Sequence, residues 1–256
     1  SRPPGAPLPA GRARPRPVPD ITGPLGGVPR QREARVPAEI AGPRTAALSR
    51  LRRVRPRHLL PTPTGTPFTF AYTAALAVTS LVAALADPAL VHALQQASST
   101  DVAHLVRTPL LALLASALWI AGGVLSPYAT AFVLVLSALE RRVGAARAAG
   151  VFLAGHVLAT LATEVPVGLA VLSGRLPDTS LHRLDYGISF GVAACVGALA
   201  GLLAPRLRRP LLTLVAGMLI GDLAASRDPM TDWGHLIALA IGVATWPWVR
   251  RRPARA

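Results

Sequence analysis

A serine and a histidine lie near the beginning of two separate apolar stretches of this chain. Ser189 stands in Asp185-Tyr-Gly-Ile-Ser-Phe-Gly191, and His235 stands in Asp232-Trp-Gly-His235. Each stretch runs on to an arginine cluster, so the two side chains lie at matching depths. A hydroxyl group becomes a nucleophile when a neighbouring base takes up its proton. The spacing predicts a Ser189–His235 pair for nucleophilic catalysis within a membrane, where polar side chains are costly and usually functional.

Other interpretations of the same residues remain open. The Ser189 hydroxyl could bond to a local carbonyl group, and His235 could be a neutral histidine at a helix interface. Asp185 and Asp232 precede the pair by four and three positions and are candidates to support it. Asp232 could cap the second stretch and raise the basicity of His235 across one turn, although capping alone explains its position.

Small residues surround both candidates. Gly187 stands two positions before Ser189, while Gly234, Ala238 and Gly242 recur every four residues beside the histidine. Small side chains let membrane helices approach each other closely. This pattern predicts that the second stretch packs tightly against another helix.

A third apolar stretch carries His156, Thr160 and Glu164 at four-residue spacing. In a helix, successive members are offset by only about 40°, so all three occupy one face. A charged or polar face is costly in lipid and should point into the helix bundle. We expect Glu164 to accept a hydrogen bond from a neighbouring span or from the loop Asp178–Asp185. The face is either a structural hydrogen-bond network or a proton relay or substrate gate.

The composition indicates a membrane protein. Hydrophobic residues make up 52% of the chain and charged residues only 15%, whereas soluble proteins carry about 25% charged residues. The formal charge of +15 would suit nucleic-acid binding, but 13 of the 27 arginines lie in residues 1–60 and most others flank apolar blocks. We therefore predict that the protein is embedded in a lipid bilayer. We predict that it binds no nucleic acid, no metal and no cofactor.

The order of apolar and polar segments predicts an all-α bundle of six transmembrane helices. Residues 1–67 hold 15 of the 25 prolines and read as a disordered Arg/Pro-rich tail. The membrane domain covers residues 68–249, and 250–256 form a second basic tail. Leu110–Val124 is too short for a span and, after the amphipathic-looking Leu90–Val106, is predicted to be interfacial. The six spans are Phe68–Ala86, Ser126–Leu139, Ala149–Leu172, Tyr186–Ala204, Leu211–Ala225 and Trp233–Val249.

Arginine placement orients this scheme. With the N-terminus in the cytoplasm, the cytoplasmic segments hold 23 arginines and the opposite side only four, namely Arg107, Arg175, Arg183 and Arg227. Positive residues favour the cytoplasmic side. We therefore predict a multi-pass protein of the cell membrane with both termini cytoplasmic and with Ser189 and His235 just below the outer face.

Several motifs resemble those of rhomboids, the six-helix intramembrane serine proteases. Leu139-Glu140-Arg-Arg-Val-Gly144 resembles the signature that closes the second rhomboid span. Gly187-Ile-Ser189-Phe190 resembles the nucleophile motif, and Gly234-His235 with Ala238 and Gly242 resembles the histidine motif of span 6. The half-submerged first loop of rhomboids would correspond to Asp87–Leu125.

The chain departs from the rhomboid pattern at two places. Phe190 replaces the glycine after the nucleophile, and Val124–Thr130 lacks the His and Asn that stabilise the oxyanion in rhomboids. Hydroxyl groups of Tyr128 or Ser126 are possible substitutes. Gly155-His156 and Asp232-Trp-Gly-His235 are similar to motifs of a divergent bacterial group of rhomboid-like proteins.

The resemblance implies an intramembrane serine protease in which Ser189 attacks membrane-anchored substrates and His235 acts as the base. An alternative is a catalytically inactive rhomboid-like protein that binds transmembrane clients. A third class, a proton-linked transporter built on His156 and Glu164, is disfavoured because the chain lacks internal repeats.

Overall fold

The computed structural model describes residues 60–225 and 228–251, and these residues form helices and no strand. The predicted N-terminal tail up to residue 59, most of the C-terminal tail and Arg227 lie outside the described residues. The α-helices are, in chain order, α1 (Pro67–Leu85), α2 (Pro88–Ala97), α3 (Val102–Arg107), α4 (Pro109–Ser116), α5 (Pro127–Ala131), α6 (Ser137–Val143), α7 (Ala145–Leu172), α8 (Ser189–Gly201), α9 (Pro205–Ala225), α10 (Pro229–Ala244) and α11 (Trp246–Val249).

Two helices, α1 and α7, are long and apolar enough to cross a membrane among the described residues. Helix α8 is apolar but has only 13 residues, and α10 has 16. Length and hydropathy within the described residues therefore support a membrane protein of all-α class. The count of six spans stays a proposal.

The region after α1 consists of three short helices rather than one long amphipathic helix. Asp87 and Asp101 accept hydrogen bonds from the first backbone N–H groups of α2 and α3, and proline begins both α2 and α4. Side-chain caps and proline at the first position favour helix starts. The predicted Leu90–Val106 segment is accordingly interrupted after Ala97.

The apolar block Ser126–Leu139, predicted as the second span, lies within a longer helical stretch that begins at Pro127. Helices α5 and α6 are joined by a π-helical turn, Phe132–Leu136, and helix continues to Val143. Gly144 then ends it with a φ of 85°, which glycine adopts without steric cost. The helix therefore continues through the charged residues that follow the predicted span, whose bounds stay a prediction.

Glu140, in α6, ties α1 to the rest of the bundle. Its carboxylate accepts hydrogen bonds from the backbone N–H groups of Phe68 (2.9 Å) and Thr69 (2.8 Å) and from the Thr69 hydroxyl (2.6 Å). The side chain is almost fully buried. A buried carboxylate with three donors is well compensated, so this contact fixes where α1 begins.

Helices α7, α8 and α10 form the centre of the bundle. Ten of the 13 residues of α8 are buried. A Cβ added to Gly242 of α10 would lie 1.9 Å from the Ala194 carbonyl oxygen, and one added to Gly197 would lie 2.4 Å from the Leu239 carbonyl oxygen. The backbones of α8 and α10 are therefore in direct contact, which only glycine permits at these positions.

Candidate functional site

Ser189 is the first residue of α8, after a non-helical segment that the region around α2 to α4 holds in place. The Thr100 N–H donates to the Asp185 carbonyl (2.8 Å), and the Gly187 N–H donates to the Ser116 carbonyl (3.0 Å). Gly187 has a φ of 128°, a conformation that favours glycine. The predicted span therefore becomes helical only at Ser189, so the hydroxyl lies where the chain turns into the helix.

His235 lies in α10 between two aromatic rings. The Tyr128 ring stacks on the imidazole with a centroid distance of 5.2 Å and an interplanar angle of 15°. Phe190 meets it edge to face at 5.2 Å. Within the described part of the chain neither ring nitrogen forms a hydrogen bond, although both are buried. Its nearest carboxylate oxygen is Asp232 Oδ1, 3.8 Å from Nδ1.

Ser189 and His235 lie on two helices that pack against each other, α8 and α10, but are not joined by a hydrogen bond in the described structure. Phe190, next to the serine, touches His235 and covers Gly234, where an added Cβ would lie 2.3 Å from its ring. Ser189 itself lines a small polar cavity together with Thr100, His156, Thr160, Asp185 and their neighbours. The phenylalanine that replaces the rhomboid glycine thus packs directly against the histidine.

The residues that were proposed to support Ser189 and His235 differ in what they contact. Ser126 caps α5 by accepting from the Tyr128 N–H (3.3 Å), and Tyr128 uses its ring rather than its hydroxyl at His235. The expected cap of the last span was wrong: Asp228, not Asp232, caps α10. Pro229 takes the first helical position, so the cap lies four residues earlier than expected, at Asp228 instead of Asp232.

The polar face of α7 points into the bundle. His156, Thr160 and Glu164 are all at most 2% exposed. Nε2 of His156 lies 3.0 Å from the Leu113 carbonyl and 3.1 Å from the Ser116 hydroxyl. These contacts bind the middle of α7 to α4.

A family model described as a rhomboid-like protein matches residues 64–255. The chain belongs to the rhomboid-like family. No curated protein and no solved structure matches it. Family membership and the two apolar helices α1 and α7 make this rhomboid-like chain a membrane protein.

Arg183 is the main polar residue of the rhomboid-like chain that sequence analysis missed. Its guanidinium donates a hydrogen bond to Glu164 on α7. It also donates to both carboxylate oxygens of Asp228 at the start of α10, at 2.8 and 3.0 Å, and to the Thr231 hydroxyl at 3.0 Å. The bond to Glu164 is the one expected from the loop Asp178–Asp185. In the sequence, Arg183 contributed only to the count of four arginines on the outer side, because no motif around it indicates which residue it binds.

The charges around Arg183 influence each other. Burial raises the pKa of Asp185 above its usual range, because the guanidinium and a hydrogen bond from Thr100 offset only part of the desolvation. Burial opposes ionisation of Asp228 too, but hydrogen bonds from Thr231 and the charge of Arg183 outweigh it and lower the pKa of Asp228. The guanidinium is therefore a shared partner that joins α7, α10 and the loop before α8.

Proposed function

We propose that this protein is an intramembrane serine protease of the rhomboid type, with six spans and both termini in the cytoplasm. Ser189 is the nucleophile, and His235 is the general base. Transmembrane or membrane-anchored proteins are the substrates. Family membership supports the class of activity, and the arginine asymmetry of the sequence supports the orientation.

The observation that carries this proposal is the buried imidazole of His235, which forms no hydrogen bond and lies on the helix that packs against the one begun by Ser189. His235 is 5% exposed, and its two ring nitrogens have no hydrogen-bond partner among the described residues. Leaving a buried polar atom unsatisfied costs about 1–3 kcal/mol. A histidine kept only for structure would normally have a partner, so the unsatisfied ring favours a functional role.

The proposed reaction follows from the position of Ser189 at the start of α8. Its Oγ attacks a peptide carbonyl carbon, while the Oγ proton passes to His235. The first N–H groups of a helix have no intrahelical acceptor, so those at the start of α8 are suited to stabilise the oxyanion. His235 then returns the proton to the leaving amine, the C–N bond breaks, and water hydrolyses the acyl-enzyme. The Ser189–His235 hydrogen bond would form when substrate binds.

A second candidate function is a non-catalytic binder of transmembrane clients. The specific observation in its favour is the ring of Phe190, which packs against His235 while no hydrogen bond joins the histidine to Ser189 in the described structure. The proton-linked transporter is less suitable, because His156 and Glu164 are held by α4 and by Arg183.

A serine-reactive fluorophosphonate probe distinguishes the two candidates. We expect the solubilised wild type to be labelled, Ser189→Ala to lose labelling, and His235→Ala to be labelled far more slowly. Ser173→Ala removes an exposed serine at the end of α7 and serves as the matched control with unchanged labelling. A folded wild type that resists the probe would favour the binder.

A further inference from the structure

The small cavity beside Ser189 contains a second histidine. His156, Thr160, Asp185 and Ser189 line it, and it offers about 10 Å³ to the centre of a water molecule. That volume is near the lower limit for holding one water, which also needs two to four polar partners. His235 is not among the lining residues.

Two polar atoms of the lining residues lack partners in the described structure. Nδ1 of His156 and Oγ1 of Thr160 are buried and form no hydrogen bond. His156 is 2% exposed and Thr160 is 0% exposed. Native proteins seldom leave such atoms unsatisfied, and a bound water is a common solution.

The contacts of His156 with α4 determine its tautomer. The Leu113 carbonyl, 3.0 Å from Nε2, can only accept a hydrogen bond, so Nε2 carries the proton in the neutral ring. Nδ1 is then a bare lone pair and can accept a proton. A backbone carbonyl thus orients His156 in the way that a carboxylate orients the histidine of a catalytic triad.

We propose that His156 is a second proton acceptor for Ser189, reached through one water molecule in this cavity. This inference rests on the proposed serine protease function and adds a residue to it. The Ser189 Oγ–H donates to the water, and the water donates to Nδ1. During attack the water takes up the serine proton and passes one of its own to Nδ1. Asp185 lines the same cavity.

The substitution His156→Gln tests this role while keeping the contact with α4. The glutamine amide can replace Nε2–H at the Leu113 carbonyl, but glutamine has no counterpart of Nδ1. We expect probe labelling of Ser189 to become slower by about 10²-fold, the lower end for general acid–base catalysis. His92→Gln changes an exposed histidine of α2 and should label like the wild type.

A second readout does not depend on activity. In protein with ¹⁵N-labelled histidine, the Nδ1 resonance of His156 should shift in Ser189→Ala and in Thr160→Val, because both change the water that it binds. It should not shift in the control Ser173→Ala.

The outcomes separate this inference from the proposed function. An unlabelled wild type would refute the protease, and the Nδ1 resonance would then decide alone whether His156 and Ser189 share a water. If the probe labels His156→Gln as fast as the wild type while His235→Gln loses labelling, the role of His156 is overturned. An Nδ1 resonance that is unchanged in Ser189→Ala would do the same.

Discussion

Replacing Arg183 by alanine should destabilise the protein strongly, because it leaves a buried carboxylate without its partner. Glu164 is 1% exposed, and Oε1 accepts from Arg183 while Oε2 has no hydrogen-bond partner among the described residues. Removing one member of a buried ion pair costs about 3–5 kcal/mol, since the other charge stays buried and unpaired. For a chain of this size, that corresponds to a fall of about 6–20 °C in the unfolding midpoint.

The charge on Glu164, rather than the lost contacts of Arg183, should cause most of this loss. Glu164→Gln keeps an acceptor for the guanidinium and should cost only about 1 kcal/mol. The double variant Arg183→Ala/Glu164→Gln removes the buried charge of Glu164 as well, so it should be more stable than Arg183→Ala alone.

Thermal unfolding in detergent, followed by tryptophan fluorescence, measures these differences. Arg175→Ala is the matched control, because Arg175 precedes the same loop and is exposed; its midpoint should change little, as for most surface substitutions. Equal midpoints for Arg183→Ala and Arg175→Ala would show that the buried Glu164 does not depend on Arg183 for stability. A double variant less stable than Arg183→Ala would show that the buried charge is not the cause.

Three further predictions concern packing, the signature glutamate and topology. Gly242→Ala should lower stability by about 3 kcal/mol, because its Cβ meets a neighbouring backbone carbonyl; Gly217→Ala, which meets nothing within 4 Å, is the control, and equal unfolding midpoints would contradict the prediction. Glu140→Ala should cost at least about 3 kcal/mol, since three donors lose a charged acceptor; unchanged resistance of α1 to protease would contradict this expectation. A periplasm-active reporter fused after Asp178 should give signal and one after Arg147 none; the reverse would refute the six-span scheme.

The order of helices could be predicted from the sequence, but several boundaries could not. Long apolar blocks indicate helices, because backbone N–H and C=O groups within a bilayer must form their hydrogen bonds inside the segment. The second helical stretch continues past Leu139 to Val143, and Glu140 within it binds the start of α1, a tertiary contact that hydropathy does not reveal. The start of α10 was misplaced although Pro229 is a recognisable signal after Asp228.

The residues of the candidate site were chosen from the sequence and their roles stay a prediction, whereas the residues that surround them could not be predicted. Gly187 and Ser189 were singled out from spacing, yet the cavity that Ser189 shares with His156 depends on how α7 packs against α8. Arg183 was overlooked for the same kind of reason, since its partners lie in distant segments. Sequence patterns identify costly side chains in a membrane segment, while packing determines which of them meet.

Mass spectrometry of the probe-treated protein in native membrane vesicles would locate the nucleophile. We predict a single adduct on the peptide that contains Ser189, at a rate that falls sharply in His235→Gln and His156→Gln while the unfolding midpoints of both variants stay close to the wild type. An adduct on any other serine, or a folded wild type that carries no adduct at Ser189, would contradict the claim that this rhomboid-like protein is a serine protease.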